Sequence, residues 1–593
     1  MARVFRIAIF MACFLSGGSA YAAGGACPTG GNYINSASPL TLVTLSSLGI
    51  TNCYYISAAG ADTNSGTTEA SPWLHSPGMQ NCAGNCAAVS VTGGEGFIFR
   101  GGDTWHFGNS SLSPYAGVVS ACDFNKSSSA GLCFGNAAFT GSSSSPVYVG
   151  VDLTWYSGSS WARPIFTGDN PLTPHPGVFA DSVASCAYQM GSNNKIVSFE
   201  GSTYGILDNF ELTGLCSKST TTSNDVYVEE AGPLTTNNSY ERLYIHGWTH
   251  IPYTGGYVNN IILFSGTNLN GLGDSHLLNV VDGSDSDPGG IEFVKYGGAY
   301  NDAYNVFRYA SNYVVTSTHL IHDNLFEYWY GEGDEQHHPN LYEENGEYSA
   351  TNAVYNNVFL HICQLNGSGS NCPVGMVGIW PEPSVGFTTY FFNNVFGDVN
   401  GSEVSGNYFN IGQNANSGNQ GTLIIFNNTF QMTGGAVGIL DCQSTYAHTF
   451  TAANNHYIVD LSSQYSSPCS GGTFVSDGPL MSNATATADG YTASQTYAYS
   501  PTLSSSPTVG HGTNEQAFCT ALSTAGLSTA ATACQSSTTY ACGYNSSNHA
   551  VSCPAQSAVA RPASAAWDEG AYQFSGVQTP APNPPTSLKV SVQ

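Results

Sequence analysis

Charge is what this chain has least of. Only 9% of its 593 residues are Asp, Glu, Lys or Arg, and 12 of these are basic. Nucleic acid and anionic membrane surfaces are recognised through clustered Lys and Arg, so both drop out as partners. There is no G-x-S-x-G elbow, no G-K-[ST] loop and no βαβ context, which removes serine-hydrolase, P-loop and dinucleotide readings. Strong helix formers are scarce, and no amphipathic pattern exceeds about 10 residues apart from a short one near Asn514 to Leu522. Beyond the first 22 residues no stretch is apolar enough for a transmembrane helix, so no membrane insertion is expected. The shortage of bases leaves a formal net charge of −27. An anionic polysaccharide would then need a local cationic site or bridging metal ions.

The N-terminus reads as a processing segment. Arg3 and Arg6 precede the apolar run Ile7 to Leu15, and Ala20-Tyr21-Ala22 fits an A-x-A cleavage site. Residues 1–22 are therefore assigned as a signal peptide and the protein as secreted, extracellular or periplasmic. Of 17 cysteines, Cys13 leaves with that segment and an even number remains. In an exported chain this favours disulfides over metal. Proximity suggests Cys82/Cys86, Cys122/Cys133, Cys363/Cys372, Cys519/Cys534 and Cys542/Cys553. Cys27/Cys53, Cys186/Cys216 and Cys442/Cys469 are the natural remainder, although sequence alone leaves the connectivity open.

One phrase recurs five times: two polar residues, an apolar residue, Thr or His, then an aromatic. It stands at Asp323 to Phe326, Asn356 to Phe359, Asn393 to Phe396, Asn427 to Phe430 and Asn454 to Tyr457. The second Asn falls at 324, 357, 394, 428 and 455, spaced by 33, 37, 34 and 27. Repeats of this length mark stacked supersecondary units. Asn tolerates left-handed backbone angles and can hydrogen-bond to its own copy one rung away. The aromatic two positions later is expected to point inward and stack on its copies. Less regular versions appear around Asn209, Leu243 and Asn279. Short runs such as Val147 to Val149, Lys195 to Phe199, Asn260 to Phe264, Tyr390 to Phe392 and Thr422 to Phe426 read as strands. The fold class expected is all-β: a right-handed parallel β-helix, or solenoid, with disulfide-stapled loops.

These coils resemble those of the pectate-lyase-like superfamily. Tyr54 to Ser57, Gly60 to Thr67 and Ser71-Pro72-Trp73 are similar to the opening strand and turn of secreted β-helix proteins, including family-nine polysaccharide lyases. Trp567 to Phe574 is similar to their closing segment. Residues 23–575 are assigned to the β-helix domain. Residues 576–593 form a Pro-rich C-terminal tail that includes Thr579 to Pro585.

Three clusters carry candidate chemistry. Asp282, Asp285 and Asp287 form an oxygen-rich acidic loop of the kind that suits calcium, and Lys295 follows. The resemblance to family nine implies an Asp–calcium site with a Lys base that abstracts the proton alpha to a uronate carboxylate. The second cluster is Glu332, Asp334, Glu335, His337 and His338, with Glu343, Glu344 and Glu347 beyond. Paired carboxylates there suit glycoside hydrolysis, and a His oriented by a carboxylate suits acid–base work. Tyr330-Gly331-x-x-Asp334-x-x-His337 also resembles a motif of alginate epimerases, with altered spacing. The third cluster is His246, His250, His319, His322 and His361 with Arg242 and Arg308, the two arginines as carboxylate clamps. Trp329, Tyr330, Tyr342 and Trp380 are candidates for stacking on sugar rings.

The expected function is an exported carbohydrate-active protein, foremost a lyase acting on uronate polysaccharide by calcium-assisted β-elimination. A hydrolase or epimerase centred on Asp334 to His338 is the second reading. A non-catalytic adhesive, carbohydrate-binding surface protein is the third. Nothing in the chain sets an oligomeric state.

Overall fold

A computed structural model describes residues 23–79, 81–108, 132–133, 140–172, 186–188, 195–199, 201–218, 226–229, 236–251, 261–265, 273–286, 291–295, 299–309, 315–316, 319–328, 341–343, 351–362, 379–380, 386–400, 409–410, 421–434, 439–441, 449–467, 472–475, 477–537, 542–553 and 558–575. Both the signal segment and the Pro-rich tail lie outside the described residues.

Each coil supplies one strand to sheet A and, after a tight turn, one strand to sheet B. Sheet A has thirteen described strands, from Asn52–Ile56 to Gly472–Val475, and sheet B twelve, from Thr104–His106 to Leu480–Met481. Every pairing within both sheets is parallel, and each strand pairs with its counterpart one coil away. A third strand position forms two shorter parallel ladders. One ends at Ile291–Lys295, here called sheet C, and the other runs from Val315–Thr316 to Tyr465–Ser467. The protein is a parallel β-helix.

The A-to-B turn shows why the phrase recurs. Its first residue is left-handed in coil after coil, at Asn209, Arg242, Leu278, Tyr304, Asp323, Asn356, Asn393, Asn427 and Asn454. The next position is an asparagine ladder of Asn279, Asn305, Asn324, Asn357, Asn394, Asn428 and Asn455, all almost fully buried. Each side-chain oxygen accepts the backbone N–H of the ladder residue one coil earlier, at 2.8–3.1 Å. The amide nitrogen of Asn357 donates to the Ile321 carbonyl (2.9 Å) and to Asn394 Oδ1 (3.0 Å), and its neighbours repeat the pattern. A buried turn would otherwise strand its polar groups. Two residues on, Phe307, Phe326, Phe359, Phe396, Phe430 and Tyr457 stack inside the coil with centroids 4.5–5.5 Å apart.

One register reading needs correction, and one ladder member was not read. Asn209 aligns with the left-handed Arg242, not with Leu243, because Leu243 is the residue whose N–H bonds the ladder Asn279. Asn305 is a full ladder member although Tyr304, not Asn, precedes it. Its coil is only 19 residues from Asn324, which hid it from the spacing. The expected strands match, with Thr422–Phe426 as read and Val147–Tyr156 running longer. The short helix spans Gln516–Thr524, and Ser528–Cys534 is a second helix the periodicity did not reveal.

The coils end at Leu480–Met481, and the described residues of 482–537, 542–553 and 558–575 pack back over them. The two helices, tied by Cys519–Cys534, lie with Trp567 on the outer face of sheet A against Tyr355, Phe392 and Phe426. Tyr491, Tyr499 and Tyr572 cover the outer face of sheet B over Val306, Val358 and Val395. The closing segment crosses the turn, where Asn427 Nδ2 donates to the carbonyls of Asp568 (2.8 Å) and Gly570 (3.1 Å). Disulfides Cys27–Cys53, Cys82–Cys86, Cys186–Cys216, Cys519–Cys534 and Cys542–Cys553 are formed. The remaining expected pairs involve residues outside the described set or with undescribed side chains.

Replacing Asn357 with Ala leaves the Asn324 N–H and its amide, the Ile321 carbonyl and Asn394 Oδ1 each short of a partner. Asn357→Ala is expected to cost about 3 kcal/mol or more in urea unfolding, and Phe396→Ala about 3–5 kcal/mol. A loss below about 1 kcal/mol for Asn357→Ala would contradict the ladder's role.

Candidate functional site

Sheet B fixes a column of residues on its outer side. The register is His246 with Asp282, Asp282 with Arg308, and Arg308 with Glu327. The column follows from the turn: each residue sits three positions after the ladder residue of its coil. In a chain this poor in charge, four ionisable residues stand next to one another in one line.

His246 is held between two carboxylates. Its Nδ1 lies 2.8 Å from Asp285 Oδ2 and its Nε2 3.2 Å from Glu211 Oε1. Burial alone would lower its pKa. The hydrogen bonds to Asp285 and Glu211 outweigh that and raise it to about 9. The imidazole is therefore a cation at neutral pH. Asp285 also accepts the N–H of Gly247 (3.0 Å), where the chain turns with φ +67.

Arg308 stands between the next two acids. Its Nη1 donates to Asp282 Oδ2 at 3.3 Å, and its Nε lies 3.0 Å from Glu327 Oε1. Burial raises the Glu327 pKa above the carboxylate value, against the opposing pull of Arg308. Burial would lower the pKa of Arg308, but Asp282 and Glu327 reverse this and raise it. The guanidinium sits over the rings of Tyr309, Tyr328 and Tyr544, 4.8, 5.8 and 4.2 Å from their centroids. Tyr309, Tyr328 and His361 stack along the edge of the column at 4.8 Å intervals, and Asp398 holds His361 Nδ1 at 2.6 Å. That hydrogen bond raises the pKa of His361. Rings stacked on one another offer a ligand their edges more than their faces.

A hairpin from the far C-terminal segment, Gly543–Asn545 with Ala550–Ser552, closes over this face and is stapled by Cys542–Cys553. Its His549 ring stacks on Tyr244 at 4.4 Å, and its Asn548 carbonyl accepts from Arg163 Nη1 at 2.8 Å. Burial lowers the His549 pKa, and the nearby His246 cation adds to the effect. Arg163 is buried, which lowers its pKa to about 10.

The sequence-derived residues fall in different places. Asp282, Asp285, Arg308, His246 and His361 come together on sheet B. Arg242 does not join them. Its Nε donates to Asp208 Oδ1 (2.7 Å), its Nη2 pairs with Asp208 Oδ2, and its Nη1 reaches the Asn32 carbonyl (2.8 Å). Burial and the charge of Asp208 raise the pKa of nearby Glu241 in the same buried group. His319 and His322 sit on the sheet A side, and Tyr342 packs in the core against Phe391 instead of facing a sugar. Lys295 ends the sheet C strand Ile291–Lys295, paired with Ser265. That is a different ladder from the Asp282 column, and its side chain is not described. The side chains of His250, Glu343 and Trp380 are likewise not described. Asp287, Trp329, Tyr330, Glu332, Asp334, Glu335, His337, His338, Glu344 and Glu347 lie outside the described residues.

The described donors do not fit a calcium cradle. Asp282 is ion-paired with Arg308 and Asp285 with His246, so a dication would sit beside two protein cations. Among the described residues no group of three His, Cys, Asp or Glu is arranged to hold a metal ion.

Glu211, Glu327, Asp398, Tyr544 and His549 were missed. Extending the repeated phrase one residue past its aromatic reveals Arg308 and Glu327 as one column. Tyr544 and His549 carry no such signal, because they arrive from the end of the chain.

No family model matches the chain, and no curated protein matches it. Among solved structures, a GH136 lacto-N-biosidase from Eubacterium ramulus is similar at 11% identity and TM-score 0.39, covering 72% of this chain and 68% of that one. A rhamnogalacturonan lyase is similar at 12% identity and TM-score 0.31, covering 72% of this chain and 86% of that one.

The raised pKa of His246 has a defined sign. Its contribution to stability is fully present below about pH 6.5 and is lost as pH rises through about 9. The loss is on the order of 3 kcal/mol for this nearly buried group. Glu241, also raised, weakens the fold in the same direction but from a lower pH. Urea midpoints across that window should fall in the wild type and fall less in His246→Gln. Parallel slopes would contradict the ion-paired imidazole.

Proposed function

We propose that this is an exported carbohydrate-active β-helix protein that cleaves a polysaccharide by acid–base chemistry on the outer face of sheet B. The observation that carries the reading is the gathering of Glu211, His246, Asp282, Asp285, Arg308 and Glu327 on one face of a chain with only 9% charged residues. Rigid coils with charged outer positions are a scaffold on which catalytic groups are commonly placed. The resemblance of the coils, opening segment and closing segment to secreted polysaccharide-active β-helix proteins supports the substrate class. The disulfides support an oxidising compartment. No helix among the described residues is long and apolar enough to cross a membrane.

Glycosidic cleavage needs a proton donor and a second carboxylate. Glu327 is taken as the donor from its place at the end of the column, and burial raises its pKa above the usual carboxylate value against the pull of Arg308. Asp282 is its partner. The two lie on the same outer row two strands apart, with Arg308 between them. Arg308 fixes both carboxyl groups, and the Glu211–His246–Asp285 group adds hydrogen-bonding capacity one coil away. Hydrolysis is the reading preferred over β-elimination here because Arg308 is committed to two acids and the two described acids of the expected calcium set, Asp282 and Asp285, are paired with Arg308 and His246.

A panel of neutral and uronate polysaccharides tests the reading, with reducing ends and ultraviolet absorbance of unsaturated product followed together. Reducing ends are expected without unsaturation, and Glu327→Gln should lower kcat at least about 100-fold with its melting temperature preserved. No product on any substrate, or a Glu327→Gln rate within about twofold of wild type, would overturn it. Unsaturated product abolished by Lys295→Ala would move the reaction to the sheet C side.

A further inference from the structure

A concave surface lies on the opposite side of the A-to-B turn, against the outer face of sheet A. One lip is the N-terminal hairpin Tyr33–Asn35 with Ser38–Val43, paired antiparallel. The other is the turn Gly526 to Thr529 between the two C-terminal helices. The floor is the outward row of sheet A, where Ser275 pairs with Asn301 and Asn301 with Leu320. The cleft holds about 530 Å³, inside the range of about 300–1,000 Å³ typical of small-ligand sites.

Its lining is chemically distinct from sheet B. No Asp, Glu, Lys or Arg lines it, although the chain carries a net charge of −27. Its polar groups are hydroxyls and amides, from Ser36, Ser38, Thr41, Ser275, Asn301 and Ser528, set among apolar neighbours. Asn301 lines the floor, and its Oδ1 is buried with no hydrogen-bond partner in the protein. His322 also lines the cleft, with Nδ1 2.7 Å from Asp323 Oδ2 and its ring edge-on to Tyr304 at 5.5 Å. The apolar share comes from Leu40, Leu320 and Leu527.

We propose that this cleft binds a neutral saccharide of a few rings. An ionic ligand finds no counter-charge here, whereas a polyhydroxylated one meets many donors and acceptors on a partly apolar floor. The proposal rests on the lining of the cleft and not on the reaction assigned to sheet B. A β-helix that grips an uncharged stretch of glycan on one face and cleaves on another would gain affinity for a long chain through two linked contacts.

Calorimetric titration of the full chain with neutral gluco-, manno-, xylo- and galacto-oligosaccharides tests it, with a uronate series alongside. One neutral series is expected to bind and the uronate series to bind at least about tenfold more weakly at this site. Asn301→Ala removes the floor acceptor, and Ser38→Trp fills the cleft from an exposed strand with little risk to folding. Each should weaken neutral binding about tenfold or more, the equivalent of about 1.4 kcal/mol. Binding should persist in Glu327→Gln, so a failure at sheet B and a failure of the cleft are read separately. Absence of binding in every neutral series, or binding that neither cleft variant changes, would overturn the proposal.

Discussion

Everything in this molecule hangs on burying the turn between sheets A and B. A buried turn must satisfy its amide and carbonyl groups without water. Here a column of asparagines does so by bonding to the backbone and to one another from coil to coil. Because each amide bonds the coil next to it, the turn cannot slip by one residue without breaking the bonds above and below. Register at the turn then sets register in both sheets. It decides which side chains enter the aromatic stack and which stand outside. The polar column on sheet B is therefore a by-product of the same constraint that builds the core.

The coil interior is not wholly apolar. His276 Nδ1 pairs with Asp302 on the inward row, and both are fully buried. On the outward row of sheet A, Asp208 is buried with Arg242 and accepts the Tyr148 hydroxyl at 2.8 Å. These coils, from 205 to 303, are also the ones where Arg242 and Leu278 replace Asn at the left-handed position. A non-glycine residue there carries a backbone cost of about 1–2 kcal/mol. The regular Asn–aromatic coils toward the C-terminus carry ladder and stack together, and the less regular early coils use buried ion pairs. The C-terminal segment then returns along the outside, so the last part of the sequence caps early coils, as where Asn548 meets Arg163 at a separation of 385 residues.

Much of the scaffold was legible. The recurrence of Asn before an apolar–aromatic pair located the turn, the inward ring and most of the sheet A and sheet B strands. Asn305 escaped because a 19-residue coil breaks the spacing that marks the others. Asn209 was set one residue out because Asn occurs at both turn positions, and only the hydrogen bonds separate them. The site was half legible. Asp282, Asp285, His246 and Arg308 stood out as charge in a charge-poor chain. Their pairing with one another, which argues against calcium, depends on which coil lies beside which. Arg242 looked equivalent to Arg308 in sequence, yet Asp208 one coil away commits it to the buried side. Tyr544 and His549 reach the site only through tertiary folding of a hairpin with no repeat signature.

The central claim is that the ladder's register creates a carbohydrate-cleaving face on sheet B. The most direct measurement is a crystal structure of the Glu327→Gln protein with a bound oligosaccharide from a polysaccharide it recognises. The account predicts a glycosidic oxygen within hydrogen-bond reach of residue 327, with Asp282 and Arg308 beside the same linkage. Sugar bound only along sheet C near Lys295, with the sheet B column untouched, would contradict it.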